Sequence, residues 1–231
     1  IRNQYYKGSI DDFHTTTFFY NVIKETTFIK ELPPEKRANK SNASLQKNYA
    51  FFNDSYRDII KGPSSPFNLY EKGFICGNID YKYGADYAFH AGILNLSYKP
   101  FLMSANQSIN YLECHDNNTL YDKLLVSNKE EEEKTLLDRV NLANSILLLS
   151  FGVPFIHMGQ EIGLSKDGLD NTYNTVGINN MDYRLVDERF DMVNRFRLMN
   201  ILQRKLAYRS LFAKEDIDKV FDISHWDNGV Y

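Results

Sequence analysis

Three short polar clusters hold the residues with chemistry in them. His115-Asp116-Asn117 follows the run Gln107–Cys114, Asn53-Asp54 follows Asn48–Phe52, and Gln160-Glu161 follows Val153–Met158. Each offers carboxylate or amide oxygens, and the first adds an imidazole. Such groups hydrogen-bond a polar ligand and set negative charge beside it. Each cluster sits just past a stretch that reads as a strand, and in α/β barrels the residues past the strand carboxyl ends build the active site. A single His-Asp pair would be only a polar turn. The same habit after three successive strands is a pattern.

The elements that must position these clusters can be read from periodicity. Thr15–Ile23, rich in β-branched and aromatic residues, is predicted as a strand, and so are Asn48–Phe52, Gln107–His115 and Val153–Met158. Glu31–Leu45 is polar and reads as loop with a short helix. Pro63-Ser64-Ser65-Pro66 marks a loop, and residues 73–97 hold a short helix. Glu130–Glu133 opens a helix that runs through Leu136, Leu137, Val140, Ala143 and Leu147, its four carboxylates at the positive end of the helix dipole. The helix stops at Ser150-Phe151-Gly152, with Pro154 just beyond. Asp187–Leu206 is a last amphipathic helix, with Phe190, Val193, Leu198, Ile201 and Leu202 at helical spacing. Val220–Ile223 is expected to begin a further strand. Strand, helix, strand, helix is the order of a parallel α/β unit. Ser108–Cys114 and Val153–Met158 should therefore be adjacent, parallel strands joined by the intervening helix.

Composition bounds the alternatives. The chain has 231 residues and a formal net charge of −3 with both signs spread along it, so nothing points to nucleic acid or an anionic membrane. No run of about 18 apolar residues offers a transmembrane helix. Cys76 and Cys114 are too few for a disulfide framework, and neither has zinc-site spacing with a histidine. The chain opens on Ile1 without a signal-peptide pattern, which leaves its compartment unread beyond a slight lean to the cytoplasm. Aromatic residues make up 14 %. Most of them are core, although sugar clefts also use such rings, because a pyranose presents a C–H face that stacks on them.

The stretch Ile109–Leu124, I-N-Y-L-E-C-H-D-N-N-T-L-Y-D-K-L, is more specific. It closely resembles the fourth conserved region of the alpha-amylase superfamily in its type I pullulanase form. Four further stretches are similar to the same family in the same order: L-P-P-E-K-R-A-N-K-S-N-A at 32–43, F-F-N-D-S-Y-R-D-I-I-K-G at 51–62, G-V-P-F-I-H-M-G-Q-E at 152–161 and N-T-Y-N-T-V-G-I-N-N-M-D-Y at 171–183. The resemblance implies a (β/α)8 TIM barrel acting on an α-glucan polysaccharide or oligosaccharide, with no cofactor and no metal. Glycoside cleavage passes through an oxocarbenium-like transition state, and retaining enzymes place a nucleophile and an acid/base carboxyl roughly 5–5.5 Å apart. The superfamily's third carboxylate maps to Asp116, which would steady the cationic transition state, with His115 donating to a sugar hydroxyl. Asn117, Asp122 and Asn171 are implied hydrogen-bond partners of sugar, and Tyr173 an implied stacking ring. Arg57 and Asp54 read as ties of the first loop, Gln160 and Glu161 as braces, and His157 as a core or supporting residue.

Two expected motifs are missing. The family's nucleophilic Asp lies in an Arg-x-Asp strand and its acid/base Glu in Gly-Glu-Gly-Trp; no Arg-x-Asp occurs in a strand context near residues 1–25, and the tetrapeptide occurs nowhere in the sequence. Glu25 stands at about the expected distance for the acid/base. Only 108 residues precede Ile109, and a strand-helix repeat needs about 30. The predicted fold is therefore a partial barrel, about strands five to eight over residues 1–212, with the start of a C-terminal β-domain at 213–231. The parent activity implied is hydrolysis of α-1,6-glucosidic branch points, with this chain a fragment lacking the nucleophile. An isoamylase or branching enzyme is the nearer alternative, and a non-catalytic or glycan-binding remnant the more distant one.

Overall fold

The chain divides into two compact units, Ile1–Asn42 and Ala43–Tyr231. A computed structural model describes residues 40–45, 48–93, 102–206 and 210–224, nearly all of them in the second unit. The strand expected at Thr15–Ile23 and the candidate Glu25 lie outside the described residues. The short helix expected before Leu45 is a 3-10 turn, Lys40–Leu45.

Three strands form one parallel sheet in the order β1 (Phe51–Phe52), β2 (Ser108–Asn110), β3 (Val153–Pro154). Phe51 pairs with Ser108, and Ile109 with Val153. The expected parallel neighbours are thus found, with the long helix between them in the chain. The strands are shorter than predicted. The last ladder bonds run from Asn53 N–H to the Ile109 carbonyl (2.9 Å) and from Phe155 N–H to that of Asn110 (2.8 Å). Beyond them the chain bends away, and side chains supply the partners. What the ladder lacks in length is made up by a buried polar chain across all three strands. Asn53 Nδ2 donates to Ser108 Oγ (2.9 Å), Ser108 Oγ to Asn110 Oδ1 (2.7 Å), and Asn110 Nδ2 to the Phe151 carbonyl (2.6 Å). Fully satisfied networks of this kind specify one register. The glycine at 152 is a consequence: at φ +100° a side chain would be strained, and a Cβ would come within 2.8 Å of Asn110 Nδ2.

Seven α-helices surround the strands among the described residues: α1 (Asp54–Lys61), α2 (Lys82–Phe89), α3 (Leu120–Ser127), α4 (Glu133–Leu149), α5 (Tyr183–Glu188), α6 (Phe190–Lys205) and α7 (Lys214–Ile217). The stretch after Phe52, expected as a loop, is helix α1, because Asn53 Oδ1 accepts the Tyr56 N–H and starts it. Thr119 caps α3 in the same way by accepting from Asp122 N–H. Helix α4 buries Leu136, Val140, Ala143 and Leu147, recurring every third or fourth residue. They join Tyr56, Ile60, Leu112, Leu120 and Leu124 in the main core.

Three local expectations change. The acidic run before α4 does more than complement a dipole: Glu131 accepts from Arg139 Nε and Nη2, both at 2.6 Å, and Glu133 accepts from Arg189 (2.8 Å). The Arg139 guanidinium accordingly holds the Glu131 carboxyl below its usual range. Helix α6 is found, but it buries Met192 and Gln203, while Phe190, Leu198, Ile201 and Leu202 stay exposed. Val220–Ile223 forms no strand. There Phe221 packs edge-on against Phe151 with ring centres 5.2 Å apart, and Ile217 joins Ala91, Leu102, Ala105 and Phe151 in a second cluster.

Candidate active site at the strand carboxyl ends

Because the strands are parallel, their carboxyl ends share one edge, and the three polar clusters emerge there. The site is built mainly from the segments after β2 and β3. An open depression of ≈ 350 Å³ is lined by Glu113 and His115 from the first segment, His157 and Met158 from the second, and Lys166, Tyr173 and Asn179 from the loop beyond.

Glu113 is buried and anchors the first wall. Its Oε2 accepts the Leu120 N–H (2.5 Å) at the start of α3, and its Oε1 lies 2.9 Å from His157 Nδ1. One carboxylate therefore holds both a helix start and the ring of His157. The next residues turn outward. His115 Nε2 lies 3.3 Å from Asp116 Oδ1, and both side chains are largely exposed. Asn117 takes φ +62°, a left-handed conformation that asparagine tolerates better than most residues. Lys166 spans this turn from behind. It is 3 % exposed, and its Nζ donates to the carbonyls of His115 (3.1 Å) and Asn117 (2.6 Å).

The second wall belongs to the loop after β3. Thr172 Oγ1 donates to Asn179 Oδ1 (2.8 Å), and Asn179 Nδ2 returns to the carbonyls of Thr172 (2.5 Å) and Thr175 (3.0 Å). This closed loop presents the exposed ring of Tyr173 at the rim. Behind, Gln160 Nε2 donates to Asn144 Oδ1 (2.6 Å), pinning the turn after β3 to α4. Beside β1, the Tyr111 hydroxyl donates to Asp54 Oδ1 (2.5 Å) and accepts from Arg57 Nη1 (2.6 Å). Burial and the bond to Asp54 push the Tyr111 hydroxyl well above its ordinary range.

Of the predicted residues, His115 and Tyr173 line the depression, while Asp116 and Asn117 stand beside His115 in the same exposed turn and are not among its lining residues. Asn171 is exposed two residues before Tyr173 and does not line the depression. Asp122 differs from its expected role as a sugar partner. It is 1 % exposed, and its two carboxylate oxygens accept from Ser165 Oγ (2.6 Å) and Lys166 N–H (2.9 Å). It faces a loop of its own chain. The reading from sequence missed Glu113, Lys166 and Asn179 and treated His157 as supporting. Glu113 alone carried a signal, as an acid inside an apolar strand. No group of three or more His, Cys, Asp or Glu residues able to hold a metal ion occurs among the described residues.

A parallel α/β unit with a His-Asp turn past its middle strand is the frame the motifs implied, and comparison with known proteins gives the class. The chain's homologues are hydrolases, glycosidases of the alpha-amylase family. More particularly they are pullulanases, and the type I pullulanase resemblance holds over most of the chain. It is 37 % identical over 193 residues to the pullulanase of Bacillus subtilis, covering 81 % of this chain and 26 % of that protein. It is 31 % identical over 150 residues to pullulanase A of Streptococcus pneumoniae, covering 62 % and 11 %. Among solved structures, type I pullulanase from Bacillus subtilis complexed with maltose superposes with a TM-score of 0.76 at 31 % identity, covering 89 % of this chain and 30 % of that one. Pullulanase from Anoxybacillus sp. complexed with maltotetraose gives 0.79 at 32 %, covering 86 % and 28 %. The chain thus spans 26 % or less of the length of these curated relatives. No protein-family model matches it.

Proposed function

We propose that this chain is the carboxyl-terminal part of a (β/α)8 glycosidase barrel, about strands five to eight, that hydrolyses α-1,6-glucosidic branch linkages of pullulan, glycogen or limit dextrins with retention. The observation that carries the reading is the His115–Asp116 turn past β2, at the rim of a depression shared with Tyr173. Pullulanase relatives, some solved with maltose or maltotetraose, support an α-glucan as ligand. Asp116 offers negative charge to the developing oxocarbenium ion, and His115, Asn117 and Asn171 offer hydrogen bonds to ring hydroxyls. Tyr173 offers a face for stacking. Asp122 acts through the loop it holds. Glu25 is the acid/base candidate, and the nucleophile would come from a strand that this sequence does not contain. Residues 1–212 then belong to the barrel, and 213–231 lead into a C-terminal β-domain.

The test compares two proteins on pullulan: the 231-residue chain and a full-length protein that carries this sequence. The full-length protein should release reducing sugar as maltotriose. The chain by itself should release none above buffer. A full-length protein that binds no α-glucan and cleaves none overturns the glycosidase reading, and turnover by the chain alone overturns the division of the catalytic groups.

A further inference from the structure

We infer that Lys166 is a positioning residue for Asp116, its buried ammonium gripping the carbonyls on both sides of that residue. For its catalytic readout the inference rests on the glycosidase reading; its structural part stands without it. The two acceptors, on His115 and Asn117, bracket Asp116. Fixing both flanking carbonyls fixes the backbone from which the carboxylate projects. The turn needs such a grip. Asn117 is at positive φ, and among the described residues the side chains of His115 and Asp116 pair only with each other.

The grip is itself held. Lys166 N–H donates to Asp122 Oδ2 (2.9 Å), and Ser165 Oγ donates to Asp122 Oδ1 (2.6 Å). Asp167 N–H donates to Ser165 Oγ (2.9 Å), and Asn118 Nδ2 reaches across to the Gly168 carbonyl (2.7 Å). Asp122 sits in the first turn of α3, so a rigid helix sets the loop, the loop sets the ammonium, and the ammonium sets the turn. A lysine that served only to fill space would need no such aim: an ammonium has three N–H groups, and here two go to carbonyls flanking one residue. Asp122 and Lys166, 44 residues apart, work as one device.

The experiment uses the full-length protein carrying Lys166→Met, Lys166→Arg or Ser165→Ala. Lys166→Met keeps the bulk and loses the donors. Its kcat on pullulan should fall roughly a hundredfold, the scale of a small misplacement at the reacting centre, with KM changed by less than about threefold. Lys166→Arg, still able to fork to two carbonyls, should recover to within about tenfold of wild type. Amide exchange at 115–118 should accelerate in the Met variant and not in α4. A folded Met variant with wild-type kcat, or with unchanged exchange at 115–118, overturns the proposal. If the Met variant does not fold, Ser165→Ala decides: it removes one bond from Asp122 and should show the same changes at smaller size, and unchanged exchange overturns the inference. If wild type itself is inert on pullulan, the glycosidase reading fails, and exchange alone decides the grip.

Discussion

At the scale of single residues, Asp116 and Asp122 show how far residue type can be read. Both are aspartates in one motif six residues apart, and the motif implies that both meet sugar. Asp116 projects from a turn at the rim, whereas Asp122 is buried and accepts two bonds from its own chain. The sequence identifies the motif but not which member faces out, because that depends on a loop 44 residues away. Asp116→Asn in the full-length protein should therefore abolish most turnover while sparing the fold. Asparagine keeps the shape and one acceptor and loses the charge facing the oxocarbenium ion. Removing such preorganised electrostatics costs about 10²–10³ in turnover, roughly 3–4 kcal/mol. KM should move less, since a neutral ground state has little charge to stabilise. Steady-state kinetics on pullulan with a thermal melt checks this, and near-normal turnover by a folded variant removes Asp116 from the site.

At the scale of elements, periodicity located α4 to within a few residues and placed β2 beside β3. It failed for α6, whose apolar stripe predicted a buried face that the structure leaves exposed. The helix is fixed by Met192 in the main core and by a polar residue at its start. Arg189 Nη1 donates to the carbonyls of Ile162 (2.7 Å) and Gly163 (3.0 Å), Nη2 donates to Glu133 (2.8 Å), and the guanidinium lies 5.4 Å from the Tyr121 ring centre. One side chain thus joins α6 to α3, α4 and the turn after β3. Hydrophobic spacing cannot report such a joint, because an arginine at a helix start reads as surface. Arg189→Ala should cost about 2–3 kcal/mol, chiefly by leaving two carbonyls without their charged donor. Arg189→Lys should recover less than half, since an ammonium cannot reproduce the fork. Urea melts should show a lower midpoint at unchanged slope. A midpoint shift equivalent to less than about 0.5 kcal/mol, the ordinary range for a surface change, would mean that the joint is incidental.

At the scale of the whole molecule, the sheet is small, and two of the buried lysines, Lys123 and Lys166, tie loops down by donating to backbone carbonyls. Lys61, Lys123 and Lys166 are each 3 % exposed or less, in a residue type that is almost never fully buried without partners. Lys123 donates to the carbonyls of Leu69 and Glu71, as Lys166 does to its own pair, so the Asp-Lys of the motif ties down two different loops. None of this was legible, because a lysine in a sequence reads as solvated. Lys61, at the end of α1, turns the arrangement into a prediction about stability. Burial pushes its ammonium down from an ordinary 10.5 to about 8, against the attraction of Glu113 and with the repulsion of Arg57 and Lys123. Below pH 8 the lysine is charged in both folded and unfolded chains, and the full cost of burying it is present. Between about 8 and 10.5 the unfolded chain binds more protons, so unfolding free energy rises with pH. The gain totals roughly 3 kcal/mol at about 1.4 kcal/mol per pH unit of displacement. Tyr111, displaced upward, works in the opposite direction only once the pH passes its ordinary value of 10.0. Lys61→Met should isolate the effect: it should be at least as stable as wild type at about pH 7, because a buried charge is exchanged for an apolar chain of similar length. The difference between the two proteins, followed by urea melts from about pH 7 to 10, should shrink steadily once the pH exceeds 8. A difference constant across that range would show that Lys61 keeps its proton in the fold, and that its charge is better matched by Glu113 than its burial implies.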